Sequence, residues 1–138
     1  MAKKIKAVVI DDMEFCRSYL VNMLEDMDCE VMEFGDAVAF IGHCNAETYC
    51  PVDKACADLL LTDNQMPRLT GLEMLEELVA KGCKLQKENR VIFSGRWSDK
   101  DLRKAESLGC KTFKKPYLEG FQPWLDKFGA DFLKRQII

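Results

Sequence analysis

The sequence has 138 residues, enough for one domain with a proper core, expected over 1–138. Hydrophobic residues make up 48% and charged residues 31%, an ordinary soluble balance, and a net charge of −3 points away from nucleic-acid binding. No apolar run approaches the roughly 20 residues of a membrane span, and Met1-Ala2-Lys3-Lys4 lacks the apolar stretch that would follow it in a signal peptide.

Short apolar runs alternate with longer amphipathic segments, the pattern of β-α-β units and a parallel sheet. Ile5–Ile10 is a β-branched run that stops at Asp11-Asp12. Met13, Cys16, Leu20, Met23, Leu24 and Met27 then recur at helical spacing. Val31–Phe34 reads as a second strand, and Asp36 can cap a helix over Ala37–Cys44. His43–Ala57 breaks the rhythm and reads as an enlarged loop or an extended helix end. Leu59–Thr62 is a third strand, nearly all apolar, as a sheet covered on both faces requires. Pro67 and Gly71 bracket a loop, Leu72–Lys81 reads as a helix, and Gly82 stops it. Val91–Ser94 is the fourth strand. Ser98 with Asp101 has the form of a capping box for a helix reaching Leu108 and closed by Gly109. Lys111–Lys114 is a short fifth strand. Phe121, Trp124, Leu125, Phe128 and Phe132 mark the core-facing stripe of a last helix.

Seven cysteines (16, 29, 44, 50, 56, 83 and 110) are an odd number in a chain too long for a disulfide-stapled scaffold. Reduced thiols in a cytoplasmic protein are expected, several as small core residues. His43, Cys44, Cys50 and Cys56 could be imagined around zinc, but they lack a C-x₂₋₄-C pair.

The polar residues that matter sit at strand ends. The first strand ends in Asp11-Asp12, the third in Asp63, the fourth in Ser94 and the fifth in Lys115-Pro116. Ligands of open α/β sheets bind at that edge, where the strand order reverses. In an order 2-1-3-4-5 the first and third strands are neighbours, so their carboxylates converge. Two unit charges about 4 Å apart repel by roughly 4 kcal/mol at an effective dielectric near 20. A divalent cation relieves this, and oxygen-only ligands favour Mg²⁺, with Mn²⁺ possible. One carboxylate then remains as a nucleophile, with a hydroxyl and an ammonium placed to receive phosphoryl oxygens.

Val8-Val9-Ile10-Asp11-Asp12, Leu60-Leu61-Thr62-Asp63-Asn64-Gln65-Met66-Pro67, Gly71, Ile92-Phe93-Ser94-Gly95 and Lys115-Pro116, in this order, resemble a response-regulator receiver domain over nearly the whole chain. The resemblance implies the stand-alone, chemotaxis-regulator-like type of receiver. The resemblance implies a flavodoxin-like α/β fold, a five-stranded parallel sheet of order 2-1-3-4-5 with helices on both faces. It implies Asp63 as phosphoacceptor in a two-component phosphorelay, Ser94 as the switch hydroxyl and Lys115 as the conserved-type lysine. It implies Mg²⁺ held by Asp11, Asp12, Asp63 and the backbone carbonyl of Gln65. The implied donor is a sensor histidine kinase or a histidine phosphotransfer protein. A downstream protein target is expected, with no nucleic acid or membrane, from a monomer or weak dimer. Such a module is a switch and not an enzyme.

Three features depart from the pattern. The aromatic that receivers usually carry three residues before the lysine is replaced by Thr112, with Phe113 one place later on the opposite face. Arg96 stands two residues after Ser94. The segment 43–57 is long. A haloacid-dehalogenase-type phosphohydrolase is the alternative reading, but it needs a second acid where Met13 stands. A phosphorylation-dead scaffold is disfavoured by the intact Asp63, Ser94 and Lys115.

Overall fold

A computed structural model describes residues 4–46 and 57–137. Five parallel strands lie side by side: β1 (Lys6–Ile10), β2 (Glu30–Phe34), β3 (Leu59–Asp63), β4 (Arg90–Ser94) and β5 (Lys111–Lys114). Their order is β2-β1-β3-β4-β5, as the sequence predicts. The helices are α1 (Glu14–Asp26), α2 (Ala37–Ala46), α3 (Gly71–Ala80), α4 (Asp99–Leu108) and α5 (Phe121–Ile137), with a 3₁₀ turn at Lys87–Asn89.

Alternating strand residues face two cores. Val9, Leu61 and Phe93 pack with Leu20 and Leu24 of α1 and with Phe121, Leu125 and Phe128 of α5. Val8, Leu60 and Ile92 pack on the other face with Phe40 of α2, Leu75 of α3 and Ala105 of α4. Every residue of β3 and β4 is buried, whereas the edge strands β2 and β5 are only partly covered. The near-continuous apolar runs at positions 59–61 and 91–93 follow from that double burial.

Some sequence expectations need correction. Met13 is not a core residue of α1. It stands at the helix N-cap, 57% exposed, and Val21 joins Leu20 and Leu24 in the buried set. At α4 only one arm of the expected capping box forms among the described residues: the Ser98 hydroxyl accepts from Asp101 N–H at 3.0 Å. The shorter aspartate replaces the Glu or Gln that normally reaches back. The complete box is at α3, where the Thr70 hydroxyl accepts from Glu73 N–H and Glu73 accepts from Thr70 N–H. That helix starts at Gly71 and is followed by Gly82 at φ 83°. The second helix runs on to Ala46. His43 packs its ring against Phe34 at 5.3 Å. Residues 47–56, with Cys50 and Cys56 and most of the long loop, lie outside the described residues.

Arg90, at the start of β4, is 5% exposed. Its guanidinium donates to the carbonyls of Leu85 at 2.7 Å and Cys83 at 3.4 Å, tying down the turn that enters the strand.

Candidate functional site

Asp11 and Asp12 follow β1, Asp63 ends β3, Ser94 ends β4 and Lys115 follows β5, so all five meet at one edge of the sheet. One carboxylate oxygen from each of Asp11, Asp12 and Asp63 lies within 4.8 Å of the others. Asp11 and Asp63 are buried and Asp12 is exposed. Asp11 is held on all sides. Its Oδ1 accepts from Met13 N–H at 2.9 Å, its Oδ2 accepts from Lys115 Nζ at 2.9 Å, and its carbonyl accepts from Arg17 at 2.8 Å. Arg17 in turn donates to Glu33 of β2 at 2.9 Å, pinning the first loop to the neighbouring strand.

Lys115 also lies 3.2 Å from Asp63 Oδ1, close in charge but without hydrogen-bond geometry, so that buried oxygen has no donor. Burial pushes the Asp63 carboxyl up to about 6. Asp11 and Asp12 push the same way, against the pull of Lys115. Burial alone would lower the Lys115 ammonium, but its hydrogen bond to Asp11 and the charge of Asp63 outweigh this and raise it. Three carboxylates (−3) against one ammonium (+1) leave the cluster formally at −2. An all-oxygen donor set, a twofold charge deficit and a buried oxygen lacking a donor fit a hard divalent cation.

Asp63 is also positioned from behind. Asn64 N–H donates to the Phe93 carbonyl at 2.8 Å, the Asn64 side chain accepts from Leu72 N–H at 3.0 Å, and its carbonyl accepts from Gly71 N–H at 3.0 Å. The start of α3 is thereby pressed against the end of β3. A Cβ on Gly71 would stand 2.5 Å from the Asp63 carbonyl oxygen, so only glycine fits. Arg68, in the loop before α3, pairs with Asp36, which also caps α2 through Ala39 N–H.

Ser94 is fully buried on the strand next to Asp63, one position beyond Phe93, with which Asp63 is in register. Its hydroxyl accepts from Arg96 N–H at 3.1 Å and donates to the Arg96 carbonyl at 3.0 Å. Gln65 and Arg96 are both exposed, on the loops after β3 and β4. The Gln65 side-chain oxygen reaches to 3.9 Å from where a Cβ on Gly95 would stand, so the two loops face each other. Phe113 turns into the core among Phe93, Phe121 and Trp124, away from the face that Thr112 shares with Ile92. Sequence reasoning missed Arg17 and Asn64, whose roles depend on bonds to distant backbone. It did not anticipate the contact of Trp97 with β5.

The family model for the response regulator receiver domain matches residues 7–118. The chain belongs to that family. It is 30% identical over 118 residues, 85% of its length, to the transcriptional regulatory protein FixJ of Azorhizobium caulinodans, and covers 51% of that protein. It is 29% identical over 77 residues to the chemotaxis protein CheY of Listeria monocytogenes, covering 56% of this chain and 59% of that one. The receiver thus spans about half the length of the curated relatives it matches. Among solved structures it is similar to the N-terminal domain of an uncharacterized Wolinella succinogenes protein. That likeness has a TM-score of 0.74 and 25% identity, and covers 96% of this chain and 97% of that one. The flavodoxin-like fold expected of a receiver is the fold observed. The phosphohydrolase alternative gains no support, since Met13 offers no second acid. No helix among the described residues is long and apolar enough to cross a membrane.

Proposed function

We propose that this receiver accepts a phosphoryl group on Asp63 from a phosphohistidine and returns a changed surface as its output. The observation that carries this reading is the convergence of Asp11, Asp12 and Asp63 within 4.8 Å, bridged by Lys115. A free Asp63 oxygen attacks phosphorus, the bond from phosphorus to the histidine nitrogen breaks, and the imidazole leaves. Lys115 receives one phosphoryl oxygen while it keeps Asp11 in place. Ser94 donates its hydroxyl to another. Asp11, Asp12, Asp63 and the Gln65 backbone carbonyl hold Mg²⁺ in this reading. When bound, it supplies the positive charge that lets an anionic phosphoryl group approach an acidic site. The donor is a sensor histidine kinase or a histidine phosphotransfer protein. The unit acts as a phosphoacceptor switch in the cytoplasm.

Incubation with acetyl phosphate or phosphoramidate and Mg²⁺ tests the reading. Intact mass rises by one phosphoryl group in the wild type and stays unchanged in Asp63→Asn. In Asp12→Ala the Mg²⁺ affinity measured by calorimetry falls about tenfold or more, as for loss of a metal-site carboxylate. Labelling that persists in Asp63→Asn refutes the assignment of the acceptor.

A further inference from the structure

The loop between β4 and α4 is only Gly95, Arg96 and Trp97 before Ser98 caps the helix. It is fastened at both ends. Ser94 holds the Arg96 backbone through the two hydrogen bonds described above. The Trp97 indole lies half-buried against the core under α4 and donates its N–H to the Phe113 carbonyl of β5 at 3.1 Å. Trp97 and Thr112 lie on the same face of the sheet. Thr112 is in register with Ile92, and both Ile92 and Trp97 belong to that core.

We infer that Trp97 is a latch that phosphorylation of Asp63 releases. The inference rests on the phosphoacceptor reading of the site. A serine hydroxyl has one proton. Ser94 gives it to the Arg96 carbonyl, and it cannot at once give it to a phosphoryl oxygen on Asp63. When the hydroxyl turns to the phosphoryl group, the Arg96 carbonyl loses its donor and the turn over residues 94–96 opens. Trp97 follows this turn directly in the chain. The turn therefore shifts toward the site and draws the Trp97 N–H off the Phe113 carbonyl. Thr112 is too small to fill the vacated space, so the change appears as exposure of the Trp97 indole. The latch opposes the activated state, and by linkage its removal tightens binding of whatever activates.

The test uses the Trp124→Phe variant, which leaves Trp97 as the sole indole, with beryllofluoride and Mg²⁺ as the phosphoryl mimic. Fluorine NMR reports bound beryllofluoride independently of any tryptophan. At saturation, Trp97 emission shifts to the red and acrylamide quenching rises. In the added Ser94→Ala variant, beryllofluoride at saturation leaves Trp97 unchanged. In a separate Trp97→Phe variant, which keeps a ring but loses the N–H, beryllofluoride affinity rises about fivefold, the equivalent of one hydrogen bond of about 1 kcal/mol. Bound beryllofluoride with a silent Trp97, or an unchanged affinity in Trp97→Phe, overturns the latch. Failure of the wild type to bind beryllofluoride overturns the phosphoacceptor reading beneath it.

Discussion

A single buried carboxyl gives this receiver a pH signature of its own. In the metal-free protein the Asp63 carboxyl is raised from 3.8 to about 6, first by burial and then by Asp11 and Asp12. The folded chain therefore holds this proton more tightly than the unfolded chain. Asp63 contributes a loss of stability as pH rises from about 4 to about 6, and a constant penalty above that. Asp63→Asn removes the term. The variant is expected to match the wild type near pH 4 and to exceed it by about 2 kcal/mol near pH 7, allowing for relaxation around the site. Urea unfolding of both proteins in chelator at the two pH values measures this, and a gap that does not grow with pH contradicts it. For Arg96, exposed on the loop after β4, the expected effect is on a rate instead. An aspartyl phosphate is lost when water attacks in line, and a bulky permanent cation reaching over the site from that loop would obstruct the approach. Arg96→Ala should shorten the lifetime of phosphorylated Asp63 several-fold, about 1 kcal/mol in barrier. The decay is followed by intact mass after the donor is removed. An equal or longer lifetime rejects the shield. Asp11-Asp12, Asp63 and Ser94 were legible in the sequence because they close apolar runs, and Lys115 because it stands with Pro116 just after the short fifth strand. Arg17 and Asn64 were not, because their partners are backbone groups six and eight residues away, which no periodicity marks.

Elements rather than single groups decide how firmly the site is held. The start of α3 leans on the end of β3 through Gly71, and the clash of a methyl there is with backbone, which cannot swing aside. Gly71→Ala should destabilise the fold by about 1–3 kcal/mol, the usual range for overpacking. It should slow labelling by acetyl phosphate as well, since Asp63 itself is displaced. Thr70→Ala removes the capping box of the same helix and should cost about 1 kcal/mol with labelling intact. Denaturant midpoints and labelling rates for the two variants separate a displaced site from a merely weakened helix. Gly71→Ala labelling at the wild-type rate contradicts the first expectation. The box at Thr70 and Glu73 could have been read from its spacing, but Leu72 gave a stronger apolar signal. At Ser98 the same rule overreached, since aspartate at the third position supplies the acid but not the reach. Strand ends extended further than the apolar runs at Asp63 and Arg90, because a ladder continues through polar residues that find partners.

Across the whole molecule, the sheet order was legible because every crossover carries a helix and the acids fall at one edge. The division into two cores was only partly so, since β3 and β4 read as unbroken apolar runs with no visible alternation. That division predicts unequal protection. Amides of Val8, Val9, Leu60, Leu61 and Ile92 in the central strands should exchange with deuterium most slowly, and those of β2 and β5 sooner. Exchange followed by NMR checks this, and early loss in β3 or β4 contradicts it. The α5 side of the sheet has a further consequence. Phe121, Trp124, Phe128 and Phe132 follow one another along the helix with ring planes 20–26° apart and centroids 5.7–6.5 Å apart. Rings so close and so nearly aligned share their electronic transitions. Light absorbed in this ladder should give a circular-dichroism band in the near ultraviolet that belongs to the stack as a whole, and the band should vanish when α5 lifts from the sheet even if the helix stays wound.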